Sequence, residues 1–498
     1  MTLAMQALKS AALPGALGVL AATGQAPLGL WWATLPTLAI ITIFVAREER
    51  WRGRLWQGWV AGAGYFAASL FWIVEPFMVD AARDGWMAPF ALVFLAGGMA
   101  LFWMLAAVFA GMGRTFAGRA VGFGLGLAAS DLIRGYIFTG FPWALIGHVW
   151  VGTPVAQAVA WVGPVGLSLL TMTMAVLPVA FQKGRWLGIA ISLVLLSGLW
   201  GGGTMRLAQT DPVRDPLIRV RMVQPNATQS LKWDPLMWDE FMRRQMDATA
   251  APQDAPLNLV IWPETAVPWL LESSSDLLRE ITAASDGVPV ALGIQRAEGD
   301  RYFNSLVATD GAGSIKAVYD KHHLVPFGEY VPFGDLLYDF GITAFAAKAG
   351  KGYTPGHGAV VLDLGSAGKV LPLICYEAVF PQDLRSAPAR ADWILQITND
   401  GWFGNLAGPY QHLAQARLRA IEQGLPLMRV ANTGVTAAID AKGRVLRSLP
   451  LNSVGHFDIA VPAAMPPTFY ARTGDLPSTM LIGLGLLMLV AAQRRKTH

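Results

Sequence analysis

Long stretches without a single charged residue constrain this chain more than any other feature of its sequence. No Asp, Glu, Lys or Arg occurs between Lys9 and Arg47, and further uncharged runs follow up to Met205. A bilayer hydrocarbon core of ~30 Å is crossed by about 20 apolar helical residues. The sequence therefore predicts seven membrane spans before residue 204 and an eighth near the C-terminus, at about residues 10–24, 27–46, 55–77, 87–112, 117–138, 158–181, 186–203 and 476–492.

The composition supports a membrane protein and argues against several other classes. Charged residues are 14% of the 498 residues, whereas soluble domains average about 25%. The high apolar content and the single cysteine exclude a disordered or disulfide-built protein. The net charge of +4 comes without a basic tract long enough for nucleic acid, so no nucleic-acid partner is expected. A cleaved signal peptide at the N-terminus is an alternative to the first span.

The basic residues of the loops give one consistent orientation. They lie around Arg47–Arg54, at Arg114 and Arg119, at Lys183 and Arg185, and in the tail Arg494–Lys496. Loops rich in Lys and Arg stay in the cytoplasm. Both termini are therefore predicted to be cytoplasmic. The segment 204–475 would then lie outside the cytoplasm, in the periplasm if the host membrane is a bacterial inner membrane.

The sequence pattern of the segment 204–475 is typical of a water-facing domain. Short β-rich runs alternate with polar turns and three helical stretches, a pattern typical of a layered α/β domain. Continuous apolar runs such as Val370–Ile374 indicate strands buried on both faces. The predicted domains are a helical membrane domain at 1–203, an α/β domain at 204–475, and a final span with a basic tail at 476–498.

Cys375 is the strongest candidate for chemistry in this domain. It is the only cysteine, so it forms no disulfide within the chain, and it follows a predicted buried strand. A side chain at a strand end is held rigidly at a cleft. The alternative is a small buried hydrophobic residue. As a nucleophile, Cys375 would need a base and a positive charge nearby.

Two further residues at strand ends fit those needs. Glu264 follows the run Leu257–Trp262 and is flanked by prolines and aromatic residues, so it is expected to be poorly solvated, as suits a general base. Lys321 follows the run Ile315–Asp320 and offers a fixed charge for an oxyanion, with Glu329 as its partner. The alternative for each of these three residues is an ordinary charged side chain at the protein surface. No Cys, His or Asp set has metal-ligand spacing, so no metal and no cofactor are expected.

The Glu–Lys–Cys order resembles the nitrilase superfamily, and the added membrane spans resemble its membrane-embedded branch, the apolipoprotein N-acyltransferase family. The resemblance covers essentially the whole chain. It rests on the motifs Thr139–Trp143, Trp262–Thr265, Lys321–Glu329, Ile374–Glu377, Asn399–Gly404 and Tyr470–Asp475. One departure is Asp131, near Arg134, where the family is expected to prefer Glu; the role of this pair is left open.

The resemblance implies a fold, a reaction and its partners. The fold would be an αββα sandwich attached to eight spans. The reaction would move an acyl chain from a phospholipid to the α-amine of a diacylglyceryl-cysteine lipoprotein, by a ping-pong route through a thioester on Cys375. Glu264, Lys321 and Cys375 would form the catalytic triad. Supporting or substrate-binding roles would fall to Glu329, Trp233, Tyr376 and Glu377, and the enzyme would act as a monomer.

Two other functions fit part of the sequence. A membrane-tethered amidase of nitrilase type, acting on a small amide, would share the triad, but seven spans exceed what a tether needs. A transporter or receptor would have ionisable residues inside its spans, and the available ones, Glu75, Asp131 and Arg134, lie near predicted span ends.

Overall fold

The computed structural model describes residues 3–332 and 352–494, with the side chains of residues 11–332 and 352–492. It divides into two compact units. The first contains the chain up to Gln209, the segment Leu406–Leu418 and the chain from Thr468 onward. The second contains Thr210–Asn405 and Arg419–Pro467. The predicted tail residues Arg495 and Lys496 lie outside the described residues.

The first unit is built from α-helices. In the described part of the chain, its helices of at least 17 residues are Leu3–Ala22, Trp31–Arg47, Trp51–Ser69, Ala88–Ala110, Phe116–Tyr136, Val159–Ala180, Arg185–Ala208 and Leu476–Arg494. Short helices at Glu75–Met78, Ala81–Asp84 and Phe469–Thr473 complete it. The helix Arg185–Ala208 continues through the predicted domain boundary at residue 203.

By length and hydropathy, four helical stretches among the described residues can cross a membrane: Ala81–Ala110, Phe116–Tyr136, Pro154–Ala180 and Arg185–Ala208. A fifth span arises if the pair Trp51–Ser69 and Phe71–Met78, bent by 64°, counts as one. The other three predicted spans coincide with shorter apolar helical segments, Ala11–Ala22, Trp31–Arg47 and Leu476–Ala492. The membrane character of this region is therefore confirmed, with four to five helical stretches that meet the length and hydropathy of a span rather than the predicted eight.

A buried ion pair fixes the loop Thr139–Trp143 inside the first unit. Asp131 and Arg134 lie one turn apart on a helix and pair at 3.0 Å. Arg134 also donates to the carbonyl oxygens of Phe141 and Trp143, while Asp131 accepts from the Ser168 hydroxyl. Both charges are compensated, as buried charges require. The pair therefore has a structural role in holding this loop.

The second unit contains two six-stranded sheets. The first sheet has the order β12-β1-β2-β3-β4-β5 and the second β11-β10-β9-β8-β7-β6. The strands, in chain order from β1 to β12, are Arg219–Gln224, Leu259–Ile261, Val290–Glu298, Arg301–Thr309, Ile315–Asp320, Leu362–Asp363, Lys369–Ile374, Trp393–Thr398, Leu427–Ala431, Thr436–Ile439, Val445–Leu449 and Gly455–Ala460.

The centre of each sheet consists of three parallel strands. These are β1, β2 and β3 in the first sheet, and β7, β8 and β9 in the second. Every residue of β8 and β9 is buried, the polar ones included. The helices Pro235–Ala250 and Ser275–Ala284 pack on the first sheet through Met242, Leu278 and Ile281. The predicted two-sheet, nitrilase-like α/β fold is therefore confirmed.

One strand, β11, was not predicted from the sequence. β11 is mostly exposed at a sheet edge and contains Arg447, so it lacks the apolar run that marks a buried strand. It pairs antiparallel with β10 across a turn in which Gly443 adopts a φ of +76°. Glycine reaches this left-handed region without steric cost.

Candidate active site

The ends of three strands bring the predicted site residues together. Lys321 directly follows β5, and Glu264 lies three residues after β2 in the same sheet. β2, β3 and β5 run in one direction, so both residues leave the sheet at the same edge. Cys375 directly follows β7 of the second sheet. The Cys375 thiol interacts electrostatically with both Glu264 and Lys321, so the three side chains lie close to one another.

Glu264 is a buried carboxylate with a donor for each oxygen. Its Oε1 accepts from the Asn304 amide at 2.7 Å and lies 3.7 Å from the Lys321 ammonium. Its Oε2 accepts from the backbone N–H of Asn399 at 2.7 Å. Because Asn304 belongs to the first sheet and Asn399 follows the second, Glu264 is held between the two.

A glycine makes room for the Glu264 turn. A Cβ at Gly293 in β3 would lie 2.6 Å from the Glu264 Cα and 2.5 Å from the Thr265 nitrogen. Thr265 itself has a φ of +45°, an unusual value for a β-branched residue. The turn is therefore strained and closely packed against a neighbouring strand.

Lys321 is buried beside two carboxylates. Its ammonium donates to Glu329 at 2.8 Å, and the second Glu329 oxygen accepts from the backbone N–H of Val325. Burial by itself lowers the pKa of Lys321, but Glu329 and Glu264 reverse this and raise it above the ordinary value. Lys321 therefore keeps its charge at physiological pH.

Cys375 occupies a strained backbone position. Its φ is +52° at the start of the turn Cys375–Val379. Such strain costs about 1–3 kcal/mol and occurs frequently at functional sites. Burial, followed by the charge of Glu264, raises the pKa of the thiol well above its usual range, against the opposing effects of Lys321 and a hydrogen bond with Thr398. The sulfur is therefore a neutral thiol at rest.

Glu377 joins the Lys321 segment to the Cys375 turn. One of its oxygens accepts from the Tyr319 hydroxyl and from the His322 backbone N–H, both at 2.8 Å. The other accepts from the N–H of Ile374 at 2.7 Å. Glu377 is fully buried. Tyr376 is also buried and packs edge-on against Phe380.

Trp233 lines a cavity beside Glu264. The cavity is lined by Trp233, Trp238 and Glu264, among others. Lys232 also lines it. The Lys232 ammonium donates to the Glu264 carbonyl at 3.1 Å and to the Thr265 hydroxyl at 2.5 Å.

Sequence reasoning missed Lys232, Asn304 and Thr398. A lysine beside a tryptophan, an asparagine in a strand and a threonine at a strand end carry no local signal of a site. The sequence places Asn399 in the motif Asn399–Gly404 but assigns it no role of its own. Its backbone N–H, rather than its side chain, reaches Glu264. Within residues 3–332 and 352–494, no group of three or more His, Cys, Asp or Glu side chains is arranged to hold a metal ion.

Two family models match the chain. Residues 219–464 match the carbon-nitrogen hydrolase model, and residues 17–177 match the apolipoprotein N-acyltransferase N-terminal domain. The sequence is 36% identical to an apolipoprotein N-acyltransferase of Rhodopseudomonas palustris, over 96% of this chain and 94% of that protein. The chain belongs to the apolipoprotein N-acyltransferase family.

A second relative from that family also matches most of the chain. The apolipoprotein N-acyltransferase of Brucella melitensis is 38% identical, over 89% of this chain and 86% of that protein. Among solved structures, an amidase from Nesterenkonia sp. aligns with 18% identity and a TM-score of 0.38, over 55% of this chain and 99% of that one. Within the apolipoprotein N-acyltransferase family, this chain thus has relatives that match both its helical and its α/β parts.

Proposed function

We propose that this protein transfers an acyl chain from a membrane phospholipid to the α-amino group of a diacylglyceryl-cysteine lipoprotein. The observation that carries the proposal is the similarity to apolipoprotein N-acyltransferases along 96% of the chain. Apolar helices and the Glu264–Lys321–Cys375 cluster occur in this one chain. Both substrates are lipids, and a membrane-bound enzyme need not extract them into water at ~0.8 kcal/mol per CH₂.

The first half-reaction loads the enzyme. Glu264 takes the Cys375 proton as the sulfur attacks the ester carbonyl carbon of the phospholipid. Lys321 stabilises the oxyanion of the tetrahedral intermediate. The intermediate collapses to a thioester, and the lysophospholipid oxygen leaves with the proton held by Glu264. The raised thiol pKa makes this proton transfer necessary, because little free thiolate exists beforehand.

The second half-reaction transfers the chain. The α-amine of the lipoprotein attacks the thioester carbonyl, and Glu264 takes the proton that the amine loses. Cys375 leaves as a thiolate, recovers that proton and is ready for another cycle. A covalent intermediate lets one site serve two bulky lipids in turn. Exclusion of water protects the thioester from hydrolysis.

The surrounding residues support the triad in this proposal. Glu329 orients Lys321 through its 2.8 Å bond and supplies the charge that keeps the ammonium protonated. Glu377 fixes the Cys375 turn relative to the Lys321 segment. Tyr376 and Trp233 are proposed to contact substrate.

We also propose the finer membrane arrangement predicted from the sequence. It has eight spans, both termini in the cytoplasm of a bacterium and the α/β unit in the periplasm. The loop charges support this orientation. In it, Cys375 serves substrates of the outer leaflet and the protein acts as a monomer.

Mass spectrometry of the intact protein tests the proposal. After incubation with phospholipid alone, we expect an added acyl group on Cys375 and one lysophospholipid released per enzyme. Cys375→Ala should show neither while keeping its thermal unfolding temperature. The same sample incubated with a small primary amide tests the amidase alternative. Ammonia release without acylation of Cys375 by phospholipid would overturn acyl transfer.

A further inference from the structure

The cavity beside Glu264 contains two buried polar atoms that have no hydrogen-bond partner among the described residues 3–332 and 352–494. They are the indole nitrogen of Trp238 and the side-chain oxygen Oε1 of Gln245. Both residues line the cavity, whose other walls include the apolar side chains of Phe241, Met242 and Pro268. An unpaired buried donor or acceptor costs about 1–3 kcal/mol. A donor and an acceptor left open in one cavity indicate a ligand that supplies the reverse pair.

The orientation of the Gln245 amide is fixed by its surroundings. Gln245 is 1% exposed, and its nitrogen donates to the carbonyl oxygens of Ala266 at 3.1 Å and Phe241 at 3.3 Å. A flipped amide would point its oxygen at these two carbonyls. The oxygen therefore remains the open acceptor of the cavity.

Trp238 and Gln245 lie on one face of the helix Pro235–Ala250. They are seven residues apart, which is two helical turns and about 10.5 Å along the axis. An extended chain covers about 3.3–3.6 Å per residue. A segment of about three residues in extended conformation therefore matches the distance between these positions.

We propose that this cavity binds the peptide backbone of the acceptor lipoprotein, immediately after its lipidated cysteine. This inference rests on the proposed function. The first peptide N–H donates to Gln245, whose amide bonds to Ala266, two residues after Glu264. A following peptide carbonyl accepts from Trp238. The α-amine of the same cysteine then lies at the Glu264 end of the cavity.

The open acceptor in the cavity favours a peptide over the ester groups of a phospholipid. The esters of a phospholipid provide acceptors for Trp238 but no donor for Gln245. A cationic head group would provide the donor, but it would face the Lys232 ammonium in the same cavity. A neutral peptide group provides both a donor and an acceptor without this repulsion.

Steady-state transfer to two synthetic acceptors tests the subsite. One is a diacylglyceryl-cysteinyl pentapeptide, and the other is its analogue with an ester oxygen in place of the first peptide N–H. The donor is dioleoyl phosphatidylethanolamine. For the wild type we expect an acceptor KM about tenfold higher for the ester analogue, the effect of one neutral hydrogen bond.

Variants assign this difference to the two residues. Gln245→Met should raise the acceptor KM about tenfold for the amide peptide and abolish the distinction between the two acceptors. Trp238→Phe should raise the KM for both. Two control variants should leave the acceptor KM unchanged. The first is Gln253→Met at an exposed site. The second is Trp269→Phe, because the Trp269 ring packs edge-on against Trp238 but does not line the cavity.

Lysophospholipid release in a single turnover separates the possible outcomes. It needs no acceptor, so Gln245→Met and Trp238→Phe should release it at the wild-type rate, which also proves that they are folded. Unchanged acceptor KM in both variants, or a slowed release, overturns the subsite. A wild type that releases no lysophospholipid overturns the proposed function instead.

Discussion

At the residue scale, two buried lysines near Glu264 have opposite electrostatic surroundings. Lys321 contacts the Glu329 carboxylate, and its pKa is raised. Lys232 donates to the Glu264 carbonyl and the Thr265 hydroxyl, which are neutral oxygens. Burial lowers the pKa of Lys232 to about 8, although Glu264 and Cys375 act in the opposite direction. Lys232 therefore loses its charge at a pH where Lys321 keeps its own.

This difference predicts a pH dependence for thioester formation. Below about pH 8 Lys232 is an ammonium. Its positive charge stabilises the negative charge of Glu264 and the negative charge that develops on the Cys375 sulfur as the thiol loses its proton. Above it, the charge is lost, and we expect single-turnover lysophospholipid release to slow. Lys232→Met should be about tenfold slower at pH 7 and lack this alkaline decline.

Lys316→Met, at an exposed position of β5, is the matched control and should keep the wild-type profile. The release assay without acceptor is needed because the acceptor amine itself titrates near pH 8. If Lys232→Met retained the decline, another group would be responsible and the role of Lys232 would be refuted.

At the element scale, strand β3 limits how far the Glu264 turn can move. Gly293→Ala would place a methyl group 2.5 Å from the Thr265 nitrogen, a backbone atom that cannot rotate away. We expect a loss of about 1–3 kcal/mol in unfolding free energy. Because a displacement of ~1 Å at a site costs about 100-fold in rate, thioester formation should slow by that order.

Gly455→Ala in β12 provides the comparison for this variant. Its added methyl would meet Leu449 at an ordinary 3.4 Å, and the residue does not have a positive φ. Its unfolding temperature and its rate should stay close to those of the wild type. Equal effects of the two substitutions would show that strand glycines in general, rather than the turn of Glu264, are sensitive.

The helix that contains Asp131 and Arg134 supports a second prediction at this scale. Asp131→Asn leaves the Arg134 guanidinium buried without its counter-charge and should cost about 3–5 kcal/mol of stability. The double variant Asp131→Leu with Arg134→Met removes both charges and should cost less. Thermal unfolding in detergent measures both.

Asp80→Asn is the matched control, since the Asp80–Arg83 pair is exposed and should contribute at most about 1 kcal/mol. A double variant as unstable as Asp131→Asn would mean that the lost hydrogen bonds, and not the unpaired charge, cause the instability.

At the scale of the whole molecule, the side of the membrane on which the α/β unit lies decides which leaflet supplies the substrates. With Cys375 replaced by Ser, single cysteines at two exposed positions report it: Asp300→Cys in the α/β unit and Glu49→Cys in an early loop. A membrane-impermeant maleimide should label intact spheroplasts at residue 300 and not at residue 49. Permeabilised membranes should label both, and the reverse pattern in spheroplasts would contradict the proposed topology.

The sequence by itself determined the features that depend on neighbouring residues. Uncharged runs marked the helical unit, and the apolar run Val370–Ile374 marked β7, because burial in lipid or between layers selects apolar side chains along a continuous stretch. Glu264, Lys321 and Cys375 could be found because each lies at or just after the end of a recognisable strand. Recognition of the family then supplied the reaction.

The tertiary structure decided what depends on segments far apart in the chain. It assigned Leu406–Leu418 to the helical unit, although these residues lie within the predicted α/β segment. It also brought Asn304 and the Asn399 backbone to Glu264. It formed a cavity in which the Trp238 indole nitrogen and the Gln245 side-chain oxygen have no hydrogen-bond partner among the residues that the structure describes. Whether a polar group is satisfied depends on what the folded chain places against it, and no local pattern of residues records that.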